Sequence, residues 1–155
     1  MAWNTAATGP GRGTDDHQGE AMSDTGMQDG TFVWNELASR DLPAARAFFT
    51  GLLGWTYTET DMQEMGRYTM IRQGGREIGG MMQMDGAAWG DLPSHWMSYV
   101  AVPDVDAKAG MVEALGGRIC VPPTDIPGVG RFTVIQDPSG ATLSLITFTA
   151  APPQG

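Results

Sequence analysis

One cysteine, Cys120, serves the whole chain of 155 residues. A lone thiol excludes an internal disulfide and any zinc site built from several cysteines. Its expected place is that of a small buried hydrophobe on a strand rather than a reactive thiol. Positive charge is scarce as well: 9 Lys and Arg stand against 18 Asp and Glu, a formal net charge of −9. The chain therefore has no basic footprint for phosphate backbones or anionic lipid, which argues against nucleic-acid and membrane-surface roles. Long apolar runs are missing too. None approaches the roughly 20 residues that span a bilayer, and the N-terminus lacks the basic-then-apolar order of a signal peptide. The expectation is a cytoplasmic protein.

What is present suits one domain with a sizeable core, since 41% of the residues are hydrophobic and only 17% charged. Residues 1–30 are rich in Gly, Asp, Thr and Ser without an apolar period, so they read as a disordered N-terminal tail, with His17 solvated in it. Met22 or Met27 is an alternative biological start within that tail. The domain is expected over 31–149, followed by a short C-terminal tail, 150–155.

Within the domain an order of elements occurs twice. TFVWNELAS reads as a strand; Asp41 then caps a helix with Pro43 in its first turn, apolar residues at Ala45, Phe48, Phe49, Leu52 and Leu53, and Gly54 as its stop. WTYTET, RYTMIRQ and EIGGMMQM follow as strands, with Gly74-Gly75 turning between the last two. Next, HWMSYVAV is a strand, and Asp104 caps a helix with Val105, Ala109, Val112 and Leu115 on one side, ended by Gly116-Gly117. RICVPP, RFTVIQ and ATLSLIT supply three more strands, the last two joined by the Asp137-Pro138-Ser139-Gly140 turn. Aligning Asp41 with Asp104 and Gly54 with Gly117 gives a period of about 63 residues, seen only twice. The fold class is α+β: two βαβββ modules, 31–86 and 94–149, forming a curled, open eight-stranded barrel-like cleft with the helices outside.

Three stretches carry a family resemblance: WNELASRDLPAARAFFTGLLGW, HWMSYVAVPDVDAKAGMVEALGGR and PPTDIPGVGRFTVIQDPSGATLSLI. Together they resemble the vicinal oxygen chelate superfamily, which includes glyoxalase I, bleomycin-resistance proteins and extradiol dioxygenases. In its metal-using members, the resemblance implies His, Glu or Gln ligands on the cleft faces of the first and last strands of each module. Here those positions fall at Trp34, Ser98, Gly79 (or its neighbour Gly80) and Ser144. Two hydroxyls, a glycine and an indole are not a donor set for a divalent cation. The expectation is no metal and no cofactor.

The candidate ligand-binding residues are Trp34, Glu36, Tyr68, Met82, Ser98, Phe132 and Ser144. Trp34 is a wall of the cleft or, equally, core filling. Glu36, two residues along the same strand face, is a cation anchor or general base, or else a carboxylate paired with Arg40 or Arg131. Met82, with Met70, Met81 and Met84, offers a thioether lining of which strand alternation allows only part to face the cleft. Tyr68, Phe132 and Ser98 follow from strand parity. His95, of parity opposite to Ser98, stands at the strand's entrance. The stretch 122–131, PPTDIPGVGR, reads as a loop: a lid, or a plain connection.

Two functions from different classes follow. The favoured one is a metal-free binding module for a small aromatic or amphipathic molecule, with Glu36 biasing the choice toward cations. The other is a metal-dependent glyoxalase, epimerase or dioxygenase-type enzyme with a shifted site. A homodimer is expected, because curled half-barrels of this family commonly pair and free sheet edges are a liability.

Overall fold

The computed structural model describes residues 29–63 and 66–149. The expected tails, with His17, lie outside the described residues except for Asp29 and Gly30, and Gly30 N–H donates to the Ala101 carbonyl at 2.7 Å. The elements run β1 (Phe32–Ser39), α1 (Leu42–Leu53), β2 (Thr56–Asp61), β3 (Arg67–Gln73) and β4 (Arg76–Gln83), then β5 (His95–Ala101), α2 (Val105–Val112), β6 (Arg118–Ile126), β7 (Gly130–Gln136) and β8 (Thr142–Phe148). This is βαβββ twice. The strands form one mixed sheet in the order β2-β3-β4-β1-β5-β8-β7-β6, with β2 and β6 as its edges, so the curled sheet stays open rather than closing into a barrel. In each module the first strand pairs in parallel with the last, β1 with β4 and β5 with β8. The two modules meet along one antiparallel seam, β1 against β5.

Local chemistry explains both helices. Asp41 and Asp104 each accept a hydrogen bond from the backbone N–H three residues on, satisfying an otherwise orphaned donor of the first turn. Gly54 closes α1 in the left-handed region at φ 70°, a conformation a side chain would strain. Helix α2 stops at Val112, sooner than its apolar spacing suggests, and Leu115 beyond it is exposed.

The helices cover one face of the sheet. Leu37, Ile71 and Met81 pack against Leu42, Ala45 and Phe49 of α1, while Val100, Val102 and Leu145 gather with Val105 of α2. Phe48, Leu52 and Leu53, expected on the packed side of α1, are exposed, and no α1 residue is fully buried. The helix lies across its sheet on the narrow stripe of Leu42, Ala45 and Phe49 alone.

Two further expectations change. The stretch 122–131 is mostly strand rather than lid: β6 continues to Ile126 and β7 begins at Gly130. The β6–β7 register shifts between Val121 and Thr124, where Pro122 and Pro123 cannot donate to a ladder; an edge strand tolerates this. Cys120 is exposed, because the alternation of β6 buries its neighbours partly and turns the thiol outward.

Between the modules the chain is strapped down by Arg40. Its Nε donates to the Leu92 carbonyl at 3.0 Å, its Nη2 to the Gly90 carbonyl at 2.6 Å, and its backbone N–H to Ser94 Oγ at 2.9 Å.

Candidate functional site

Strand register decides which side chains share the face away from the helices. Leu37 is core on the helix side, so Trp34, Glu36 and Ala38 point to the opposite, cleft side. Across the seam Trp34 stands opposite Tyr99, and Glu36 opposite Met97. On the other flank Glu36 faces Gly80, and Gly80 faces Met70. Tyr68, two residues before Met70, therefore projects into the same cleft.

These residues form one hydrogen-bonded chain. Trp34 Nε1 donates to the Tyr68 hydroxyl at 2.9 Å, and Tyr68 donates to Glu36 Oε2 at 2.7 Å. Tyr99 donates to Glu36 Oε1 at 3.1 Å. Each carboxylate oxygen thus accepts from a phenol. Burial pushes the Glu36 carboxyl above the usual carboxylate range, against the opposing pull of the two phenol donors and of His95. Burial, and then the charge of Glu36, hold both phenols well above the ordinary tyrosine range. They remain donors.

Gly80 makes room for this arrangement. A Cβ there would collide with the Tyr68 hydroxyl and ring, so the phenol reaches Glu36 only over a bare backbone. Gly79, on the other side of the strand, is pressed against the Asn35 carbonyl instead. Gly80 is thus the cleft-facing glycine of the pair.

Ser144 lies opposite Tyr99 in the parallel β5–β8 ladder and is fully buried. Its Oγ makes no well-formed hydrogen bond, although it lies close enough to the Tyr99 hydroxyl to ease that phenol's ionisation slightly. Met82 stands opposite Ala38, on the cleft side two residues along from Glu36's partner Gly80. Phe132 faces Ile146 on the same side, two strands away from β5. Met81 and Met84 are buried; Met81 belongs to the α1 core.

Ser98 is a correction. It pairs with Asn35 and donates to that residue's Oδ1 at 2.8 Å, which places it on the helix side, off the cleft. It shares parity with the core residues Val100 and Val102, and that was the signal available in the sequence. The same count brings Tyr99, absent from the expected set, to the centre of the site. It also puts His95, opposite Ala38, at the end of the cleft face. His95 Nδ1 lies 2.8 Å from the Pro93 carbonyl, which can only accept, so Nδ1 is the donor of that contact. The expected pairing of Glu36 with an arginine does not occur. Arg40 is spent on the linker carbonyls, and Arg131 bridges Asp106 and Asp125 at 2.8 and 3.0 Å.

Two βαβββ modules sharing one open sheet, with a polar cluster on the face away from their helices, define a class of cleft proteins. The chain belongs to the Glyoxalase/Bleomycin resistance protein/Dioxygenase superfamily, whose family model matches residues 31–145. It is 39% identical over 119 residues to "Putative glyoxylase CFP32" of Mycobacterium tuberculosis, covering 76% of this chain and 44% of that protein. It is 33% identical over 127 residues to the anthracycline biosynthesis protein DnrV of Streptomyces peucetius, covering 75% and 46%. The chain thus spans less than half the length of these curated relatives. Among solved structures it resembles the methylmalonyl-CoA epimerase of Mycobacterium tuberculosis, with a TM-score of 0.56 at 17% identity, over 77% of this chain and 88% of that one. That likeness is one of fold. Among the described residues no helix is long and apolar enough to cross a membrane.

Proposed function

We propose that the chain binds a small aromatic or amphipathic molecule on its cleft face, preferring cationic ones, and does so without a catalytic metal. One observation carries this reading: Glu36 is a carboxylate set into the cleft face whose partners are phenols, with no Lys or Arg beside it among the described residues. Phenol donors spread its charge but do not neutralise it, so a ligand cation supplies what the protein withholds. Trp34 on the same strand face gives a ring for stacking and cation–π attraction. The donor set does not fit a divalent metal: Trp34, Gly80, Tyr99 and Ser144 surround the carboxylate, and no group of three or more His, Cys, Asp or Glu side chains converges among the described residues.

The test is calorimetric titration of neutral, cationic and anionic aromatic compounds, with elemental analysis of the same protein. Glu36→Gln is expected to weaken cationic compounds about ten-fold while barely touching neutral ones, and Trp34→Ala to weaken both. Unchanged charge preference in Glu36→Gln, or about one transition metal per chain removable by chelator with loss of an activity, overturns the reading. The name of the mycobacterial relative favours the second reading, an enzyme of glyoxalase, epimerase or dioxygenase type; there Glu36 is the available general base. We also infer a cytoplasmic homodimer, for which light scattering is expected to give twice the 16.5 kDa of one chain.

A further inference from the structure

On the opposite, helix-covered side of module one lies a hollow of about 740 Å³, under the first turns of α1. Its apolar walls are Leu42, Pro43 and the half-buried Trp89, and Thr69 lines it from β3. Register confirms the side: Thr69 faces Met81 of the α1 core on one flank and Glu59 on the other. The start of α1 offers this hollow no donor. Leu42 N–H is taken by Gln83, Ala44 N–H by Asp41, and Pro43 has none.

The charged groups are spent unequally. Arg46 is held three ways, by Glu59 at 2.8 Å, by its guanidinium lying 5.0 Å over the Tyr57 ring, and by its carbonyl accepting from the Tyr57 hydroxyl. Arg67 meets Glu59 only at 3.6 Å and its side chain is 81% exposed. The Asp85 carboxylate, also lining the hollow, makes no ion pair or hydrogen bond among the described residues. Thr69 is 2% exposed, and its side chain lines the hollow. One loosely held cation and one unspent anion, with a threonine hydroxyl beside them, thus border an apolar hollow.

We propose that this hollow is a second binding site, for a zwitterionic small molecule of amino-acid type: carboxylate toward Arg67 and the Thr69 hydroxyl, ammonium toward Asp85, apolar side chain against Trp89, Leu42 and Pro43. A purely anionic ligand meets the repulsion of a chain carrying a formal −9, and a purely cationic one leaves Arg67 unanswered. The zwitterion meets neither penalty. Most of its lining lies across the sheet from Glu36, with Met82 of the cleft set at its border; Arg67 and Asp85, which the test alters, take no part in the cleft reading, so the two proposals fail separately.

The experiment titrates L-phenylalanine, N-acetylphenylalanine and phenylalaninamide into the wild-type chain, Arg67→Ala and Asp85→Asn by calorimetry, with circular dichroism confirming that each variant is folded. Both substitutions are at exposed positions, so folding is expected to survive. Phenylalanine is expected to bind wild type at least ten-fold more tightly than either singly charged derivative. Arg67→Ala is expected to cost phenylalanine and the acetyl derivative about ten-fold, leaving the amide unchanged; Asp85→Asn is expected to do the converse. No saturable binding of phenylalanine, equal binding of the three compounds, or an effect of only one substitution overturns the proposal.

Discussion

The two modules share one plan yet divide the labour. Module two is built as a scaffold: α2 buries Val105, Ala109 and Val112, and its core is wholly aliphatic. Module one has a helix with no fully buried residue and a core edged with aromatic rings, Phe49 stacked on Trp55 at 5.1 Å, with Trp96 of module two meeting both edge-on. The polar chemistry follows the looser half. Trp34, Glu36, Tyr68 and Gly80 all come from module one, and module two lends Tyr99 and Ser144. A duplicated frame lets one copy keep the packing while the other carries groups that cost stability.

The largest expected effect tests that division in the cores. Ile71 is 1% exposed and wedged under α1, so Ile71→Ala is expected to cost about 2–5 kcal/mol in urea denaturation. Val105→Ala in the tighter module removes less volume and is expected to cost about 1.5 kcal/mol. A loss near zero at Val105 would show that α2 is no scaffold and break the comparison.

Gly80→Ala comes next and sharpens it. The new methyl displaces Tyr68 and leaves Glu36 with one phenol instead of two, an expected loss of about 1–3 kcal/mol. Its module-two neighbour Tyr99 is untouched. A tyrosine ring-proton NMR spectrum in which Tyr68 shifts and Tyr99 does not is the confirming outcome.

The smallest effect is a pH dependence. Burial raises the folded-state pKa of Glu36 above its unfolded value near 4.5, so the folded state binds the extra proton between the two. That contribution is fully present below about pH 4.5 and is lost as pH rises through the folded pKa. Relative to Glu36→Gln, which cannot titrate, the wild type is therefore expected to lose stability on going from pH 4 to pH 7. A stability difference that stays flat across that window would show that the carboxyl is not held high.

The fold was legible because its punctuation is local. The aspartates before each helix, Gly54 after the first and the turn at Asp137 to Gly140 each have a cause within four residues. Glu36, Trp34 and Tyr68 were legible by alternation from the core residues. Ser98 was not, because parity needs a fixed reference on the same strand: counted from the core residue Val100 it falls on the helix side, and a slip of one residue reverses the face. The phenol clasp on Glu36 was hidden for another reason: Tyr68 and Tyr99 lie 32 and 63 residues away along the chain, and only the seam and the bare Gly80 bring them together.

The Arg40 strap has a mechanical meaning beyond tidying the linker. Antiparallel strands joined along a single seam are free in principle to slide by a residue, and each such step would turn every side chain of β1 over. Arg40 follows β1 directly and grips Gly90 and Leu92, just upstream of β5, so sliding requires tearing three guanidinium hydrogen bonds and the backbone bond to Ser94 at once. The guanidinium thus works as a ratchet pawl, fixing the register and, through it, the side of the sheet on which Glu36 emerges.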